Sequence, residues 1–280
     1  MSVLAYPFMQ HAILAAFLCS VACGVIGSLV VLNRLAYLAG AVAHAAYGGI
    51  GIAFIAGLPV LPCTMGFSLA SSLVMARTMI RDGDITPGAT ADTAMGILWA
   101  GGMALGVILI DLSPGYAGDL MGFLFGSILA VPVENLVIMA VLDAALLGLL
   151  YRYGQGLAAI TFDPEFARAR GLPVAGIFYL LVGMTAVAVV MLLQVVGLIL
   201  VIALLTIPPY MGRRMTSSLG GMMAATAALC FCFCLGGLAL ATVFDLSPGA
   251  VIIAVATAAY GAQLFVQGRR EKARRIPNTV

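Results

Sequence analysis

Charge is what this sequence has least of. Only 9% of its 280 residues are Asp, Glu, Lys or Arg, and lysine occurs once, as Lys272. A water-soluble domain carries about 25% charged residues, so no solvated surface can be built from this supply. The missing lysines exclude a second thing. A phosphate-binding P-loop needs Gly-Lys-Ser/Thr after a strand, and no such sequence is present, so the chain does not hydrolyse ATP in that way. HExxH and G-x-S-x-G are absent too, which removes the zinc-protease and serine-hydrolase patterns. With almost no soluble mass and no catalytic motif, the chain reads as a transport protein and not as an enzyme.

What the sequence has in excess is apolar length. Hydrophobic residues make up 63% of it, in runs of about 20, the length that crosses the ~30 Å hydrocarbon core as a helix. Barrel strands alternate polar and apolar over about ten residues, and these runs do not. The fold class is therefore all-α: one polytopic membrane domain, residues 1–280, with about nine transmembrane helices. The spans are predicted near 8–32, 38–57, 63–79, 94–110, 131–150, 174–193, 195–211, 219–242 and 249–267. The first run lacks the basic start and small-residue cleavage site of a signal peptide and is read as a span.

The few cations set the orientation. With the N-terminus outside, the loops holding Arg34, Arg77 with Arg81, Arg152 with Arg168 and Arg170, and Arg213 with Arg214 all fall on one side. The tail RREKARR joins them. By the positive-inside rule that side, and the C-terminus, are cytoplasmic. The outer loops carry Asp111, Asp119 and Asp245 and no basic residue. DLSPG occurs in two of them, at 111–115 and 245–249, and is good turn chemistry.

Polar residues inside the spans are candidates for function. Asp143 is the one acid clearly within a span, as a path residue or paired in the bundle. Cys19 with Cys23, and Cys230 with Cys234, are spaced i, i+4 and share a helix face. They read as small buried hydrophobes, with a soft metal site as the alternative. His11 sits near the outer end of the first span as an interfacial polar residue. His44 lies ten residues past Arg34, roughly 15 Å along a helix and near the bilayer midplane, where ionisable groups usually mark a path or a pair. Small residues surround it in YLAGAVAHAAYGGIG, residues 37–51, and allow close helix packing.

The cytoplasmic loop at about 152–173 has its own pattern, FDPEFARARGLPV. Asp163 is placed to cap a short helix with Pro164 at its first position. Glu165, Arg168 and Arg170 suit the helix dipole. Gly171 ends the helix and Pro173 prevents resumption. Asp92 is a candidate N-cap for the fourth span. In VGLILVIALLTIPPYMGRR, Pro208-Pro209 cannot donate helix hydrogen bonds, and a break is predicted there.

Four segments, in this order and spacing, resemble the membrane permeases of zinc, manganese and iron ABC importers. They are CGVIGSLVVLNRLAYLAGAVAHAAYGGIGIA, DTAMGILWAGGMALGVILI, the pair LMGFLFGSILAVPVENL and FDPEFARARGLPV, and VGLILVIALLTIPPYMGRR. The resemblance implies the type II permease architecture of cobalamin and siderophore importers, in a bacterial inner membrane. It implies three protein partners: an ABC ATPase subunit, an extracytoplasmic metal-binding protein and a second permease copy. Lipid surrounds the chain and no nucleic acid is involved. It implies a transported divalent metal as substrate, with no bound cofactor. By resemblance, Asp163, Pro164, Glu165, Phe166, Ala167 and Gly171 form the helix that couples to the ATPase, and Pro208 and Pro209 line the path near the inner exit.

One departure stands out. The family's second helix reads G-D-x-x-S-H-A, with Asp and His at i, i+4. Here His44 matches, Gly40 replaces the Asp and Ala43 replaces the Ser. A lone imidazole is a weak site for a hard ion such as manganese. Donors from other helices such as Cys19 or Cys23, a weakly held ion or chelate, and simple packing all remain open for His44. Alternatives to a metal-ion permease are an ABC permease for a chelate or other small cargo and, further off, an ion-driven secondary transporter or a membrane anchor.

Overall fold

A backbone with no water around it must bond to itself, so each apolar run closes into a helix. The computed structural model describes residues 6–81, 84–85, 88–113, 126 and 128–274. Its helices are α1 (Pro7–Leu32), α2 (Ala36–Ala56), α3 (Val60–Met79), α4 (Ala89–Asp111) and α5 (Val133–Phe162). There follow α6 (Pro164–Ala169), α7 (Val174–Val196), α8 (Leu198–Arg213), α9 (Leu219–Phe244) and α10 (Pro248–Arg274). Among the described residues eight helices are long and apolar enough to cross a membrane, and α8 is a shorter apolar helix of 16 residues. Together they match the nine predicted spans. Among the described residues, strand structure is confined to a two-residue antiparallel pair, β1 (Ile80–Arg81) and β2 (Asp84–Ile85), beside the end of α3.

Most of α1, α2 and α7 is buried within the chain, whereas α4, α5 and α10 expose most of their surface. The exposed faces carry Ile97, Val137, Val141 and Phe265. In water such a surface would be a liability; against lipid it is the matching solvent.

Three local predictions are corrected. First, α5 does not stop near residue 150. Its 30 residues reach about 45 Å at 1.5 Å per residue, so much of the expected loop 152–173 is helix. The extension holds because Leu157 and Ile160 are buried and because Asn33, just after α1, donates its Nδ2 to Thr161 Oγ1 at 3.0 Å. Second, Asp92 is not a cap. α4 begins at Ala89 after Gly88, which leaves Asp92 inside the first turn. The two DLSPG segments, each following a helix, differ in detail. Asp111 is the last residue of α4, while Asp245 caps α9 in the left-handed conformation at φ 54°. Pro114 and Gly115 lie outside the described residues.

The third correction concerns Pro208 and Pro209. α8 runs through both. Their rings withhold two backbone bonds, yet both residues are buried. Pro209 sits where a Cβ on Gly27 would be, 2.7 Å from its Cγ. The irregular backbone lies across from the prolines instead, in a five-residue π-turn of α1, Cys23–Gly27. Inserted π-turns are rare and cost a regular bond. A second irregularity is the one-residue link between α7 and α8, Gly197 at φ 78°, ψ 164°, a region open only to glycine. A Cβ on Gly126 would collide with the backbone of Val196 and Gly197.

Candidate functional site

The site is built on α2 and α4, which form the most extensive helix pair among the described residues. They pack in parallel with a register of nearly 59 residues. Tyr37 lies against Gly96, Gly40 under Trp99, His44 against Met103 and Tyr47 against Gly106. Glycine lets the backbones touch. A Cβ on Gly102 would lie 2.7 Å from Ala45 Cα, and one on Gly106 would overlap the Tyr47 carbonyl. Such small-residue seams are how membrane helices approach closely. On its other side, α2 presents Gly48 to the Phe67 ring and Gly49 to Thr64 of α3.

This tight packing isolates one side chain. From Leu38 to Gly51 every residue of α2 is buried except His44, which is half-buried. His44 stacks on the Trp99 ring with centroids 4.2 Å apart and planes 19° from parallel. Its Nδ1 lies 3.4 Å from Met103 Sδ. Tyr37 continues the stack, its ring 5.7 Å from that of Trp99. His44 is eight residues into α2, roughly 12 Å from the start of a helix of about 30 Å.

The missing carboxylate has a structural counterpart. A Cβ on Gly40 would sit 3.1 Å from Trp99 Cζ3. The indole occupies the space beside residue 40, so a larger side chain there needs Trp99 to move. Of the donors considered for His44, neither Cys19 nor Cys23 joins it. Trp99 and Met103 do, and sequence reasoning missed both. They are i, i+4 on α4, bracketing Gly102 in WAGGM, and that spacing beside a small-residue stripe was the available signal.

The cysteines meet elsewhere. α1 and α9 pack antiparallel, with Ser28 Oγ donating to Thr226 Oγ1 at 3.3 Å and a Cβ on Gly24 falling 2.8 Å from Ala227 Cβ. That register places Cys23 with Cys230 and Cys19 with Cys234, and the side chains of these pairs interact. All four are fully buried and none is in a disulfide. Asp143 of α5 is buried near Cys19 and Cys23, and neither of its oxygens has a hydrogen-bond partner among the described residues. No group of three or more His, Cys, Asp or Glu side chains is placed to hold a metal among the described residues. His11 is half-buried near the start of α1, eight residues before Cys19.

The segment from Asp163 to Gly171 forms as its sequence predicts. Asp163 Oδ1 accepts the Phe166 N–H at 2.8 Å, with Pro164 opening α6. Ala167 is wholly buried against the bundle, while Phe166 is exposed with the Arg170 guanidinium 5.0 Å from its ring centre. Gly171 closes the helix at φ +77°, and Leu172 N–H reaches back to the Ala167 carbonyl at 3.1 Å. The result is a capped turn and a half that presents Glu165 and Phe166 outward. Nearby, a cavity of about 290 Å³ is lined by Val31, Arg34, Thr206, Ile207, Tyr210 and Tyr260 among others. Pro208 and Pro209 are not among its lining residues.

Known proteins match this arrangement along its length. A manganese transport system membrane protein of Halalkalibacterium halodurans is 31% identical over 264 residues, 94% of this chain and 88% of that one. An uncharacterized membrane protein of Synechocystis is 45% identical over 92% of this chain and 90% of that one. Among solved structures, PsaBC from Streptococcus pneumoniae in complex with Fab aligns with TM-score 0.80 and 28% identity, covering 91% of this chain and 90% of that chain. A structure described as an inward-facing, metal-chelate type ABC transporter aligns with TM-score 0.70 at 16% identity, a likeness of fold alone. The profile of the ABC 3 transport family spans residues 5–267, and the chain is therefore a member of that family, a multi-pass permease of the ABC importer type.

Proposed function

We propose that this chain is the membrane subunit of an ATP-driven importer for a divalent transition-metal ion, with His44 on the translocation path. The observation that carries the path assignment is the burial pattern of α2. In the buried stretch from Leu38 to Gly51, the imidazole alone reaches open space, at a depth where ionisable groups mark paths. The metal assignment is supported by the near full-length match to a manganese transport membrane protein.

The chain would work with a second copy of itself or of a related permease, with the path between them. A separate ATPase would dock on α6 at the inner face. A metal-binding protein would deliver cargo at the outer loops. The C-terminus would be cytoplasmic, since every Lys and Arg lies on that side of the predicted threading. Pro208 and Pro209 would act on the inner exit through α8, which carries Thr206, Ile207 and Tyr210 into the cavity there.

Coupling is testable apart from folding. A Cβ on Gly171 meets nothing within 4 Å, so Gly171→Ala adds only the left-handed backbone strain of about 1–2 kcal/mol to the end of α6. Metal uptake by whole cells should fall while the amount of chain in the membrane stays constant. Parental uptake in that variant would remove α6 as the coupling element.

A further inference from the structure

The residues around His44 are chemically soft. One imidazole nitrogen, one thioether sulfur and one indole face converge from two helices. Among the described residues of α2 and α4, no carboxylate is near. α2 has none, and the acids of α4 are Asp92 and Asp111, each at least seven residues from Trp99 or Met103 and so roughly 10 Å along the helix. Hard divalent ions favour carboxylate and water oxygens, whereas thioether and imidazole suit copper(I). Charge points the same way. Born desolvation grows as the square of the charge, so a dication costs about four times a monocation in the same uncompensated place.

The spacing also fits. An ion held tetrahedrally at about 2.0 Å from an imidazole nitrogen and about 2.3 Å from sulfur separates those two donors by about 3.5 Å. Nδ1 and Sδ stand 3.4 Å apart. The Trp99 ring, stacked on the imidazole with centroids 4.2 Å apart, flanks that point. Trp99 can be there because residue 40 is glycine. All three side chains are half-buried, so the point is open on one side.

We propose that His44, Met103 and Trp99 form a binding site for a soft monovalent cation of the copper(I) class, which enters the path and competes there with the divalent cargo. The competition, though not the binding, rests on the path assignment made above.

Trp99 is the only tryptophan in the chain, so it reports the site directly. Silver(I) serves as a redox-stable probe, titrated into the detergent-purified full chain while tryptophan emission is followed. A saturable change in emission is expected with silver(I) and none with manganese(II). Met103→Leu and His44→Ala should each move the half-point to silver concentrations higher by about tenfold or more. Silver bound to thiols does not confuse the result, because both variants keep all six cysteines. Variants that titrate like the parent, no response in the parent, or an equal response to manganese(II) would each overturn the proposal. Uptake in the same variants separates the two readings. Lost silver response with parental uptake in His44→Ala removes the path assignment and leaves the site. Absent silver response with His44-dependent uptake removes the soft site and leaves the path.

Discussion

Two seams in this molecule use the same packing device and end differently. Between α1 and α9, small residues bring the helices together until Cys19, Cys23, Cys230 and Cys234 are wholly enclosed. Between α2 and α4, glycines bring the helices just as close, yet His44, Trp99 and Met103 stay half-buried. The first seam has four sulfur atoms and no opening. The second has two polarisable donors, an aromatic face and access. Close approach by itself does not make a path. What differs is whether large side chains at the seam's edge reach outward from it.

The largest effect should come from breaking the approach itself. Gly106→Leu must push the Tyr47 backbone away, and Gly24→Leu must displace Ala227 and the Met223 carbonyl. Overpacking of this kind costs about 1–3 kcal/mol in a side-chain core and more against backbone. Both variants should lose the monodisperse peak in size-exclusion chromatography. If only one did, the seams would not be equivalent supports. A smaller effect sharpens the contrast at the open seam. Gly40→Asp collides with Trp99, so it should lower thermal stability by more than Gly40→Asp combined with Trp99→Ala lowers it relative to Trp99→Ala alone. Additive losses in that double-mutant cycle would mean that Trp99 does not fill the place of the carboxylate.

The sequence was most informative where one residue type has one physical meaning. Apolar runs and the Asp163-Pro164 start and Gly171 stop of α6 reappear in the structure, because length and backbone geometry are local properties. It was least informative where the outcome depends on a neighbour. Pro208-Pro209 predicts a break taken alone, but Gly27 receives Pro209 and the irregularity appears as the π-turn of α1 instead. α5 outruns its apolar segment because Asn33 ties down Thr161. Gly40 reads as an absence until Trp99, 59 residues later, is seen to occupy its space. The two cysteine pairs were visible as helix faces, but that they face each other is a fact of the α1–α9 register.

The central claim is that cargo passes at His44, where the buried stretch of α2 from Leu38 to Gly51 is interrupted. Its most direct test is uptake of the cognate metal by cells carrying His44→Ala beside the parent, normalised to the amount of chain in the membrane. Uptake should fall by about tenfold or more, the scale on which metal-site substitutions act. Equal uptake at equal membrane abundance would contradict the account and return His44 to the packing.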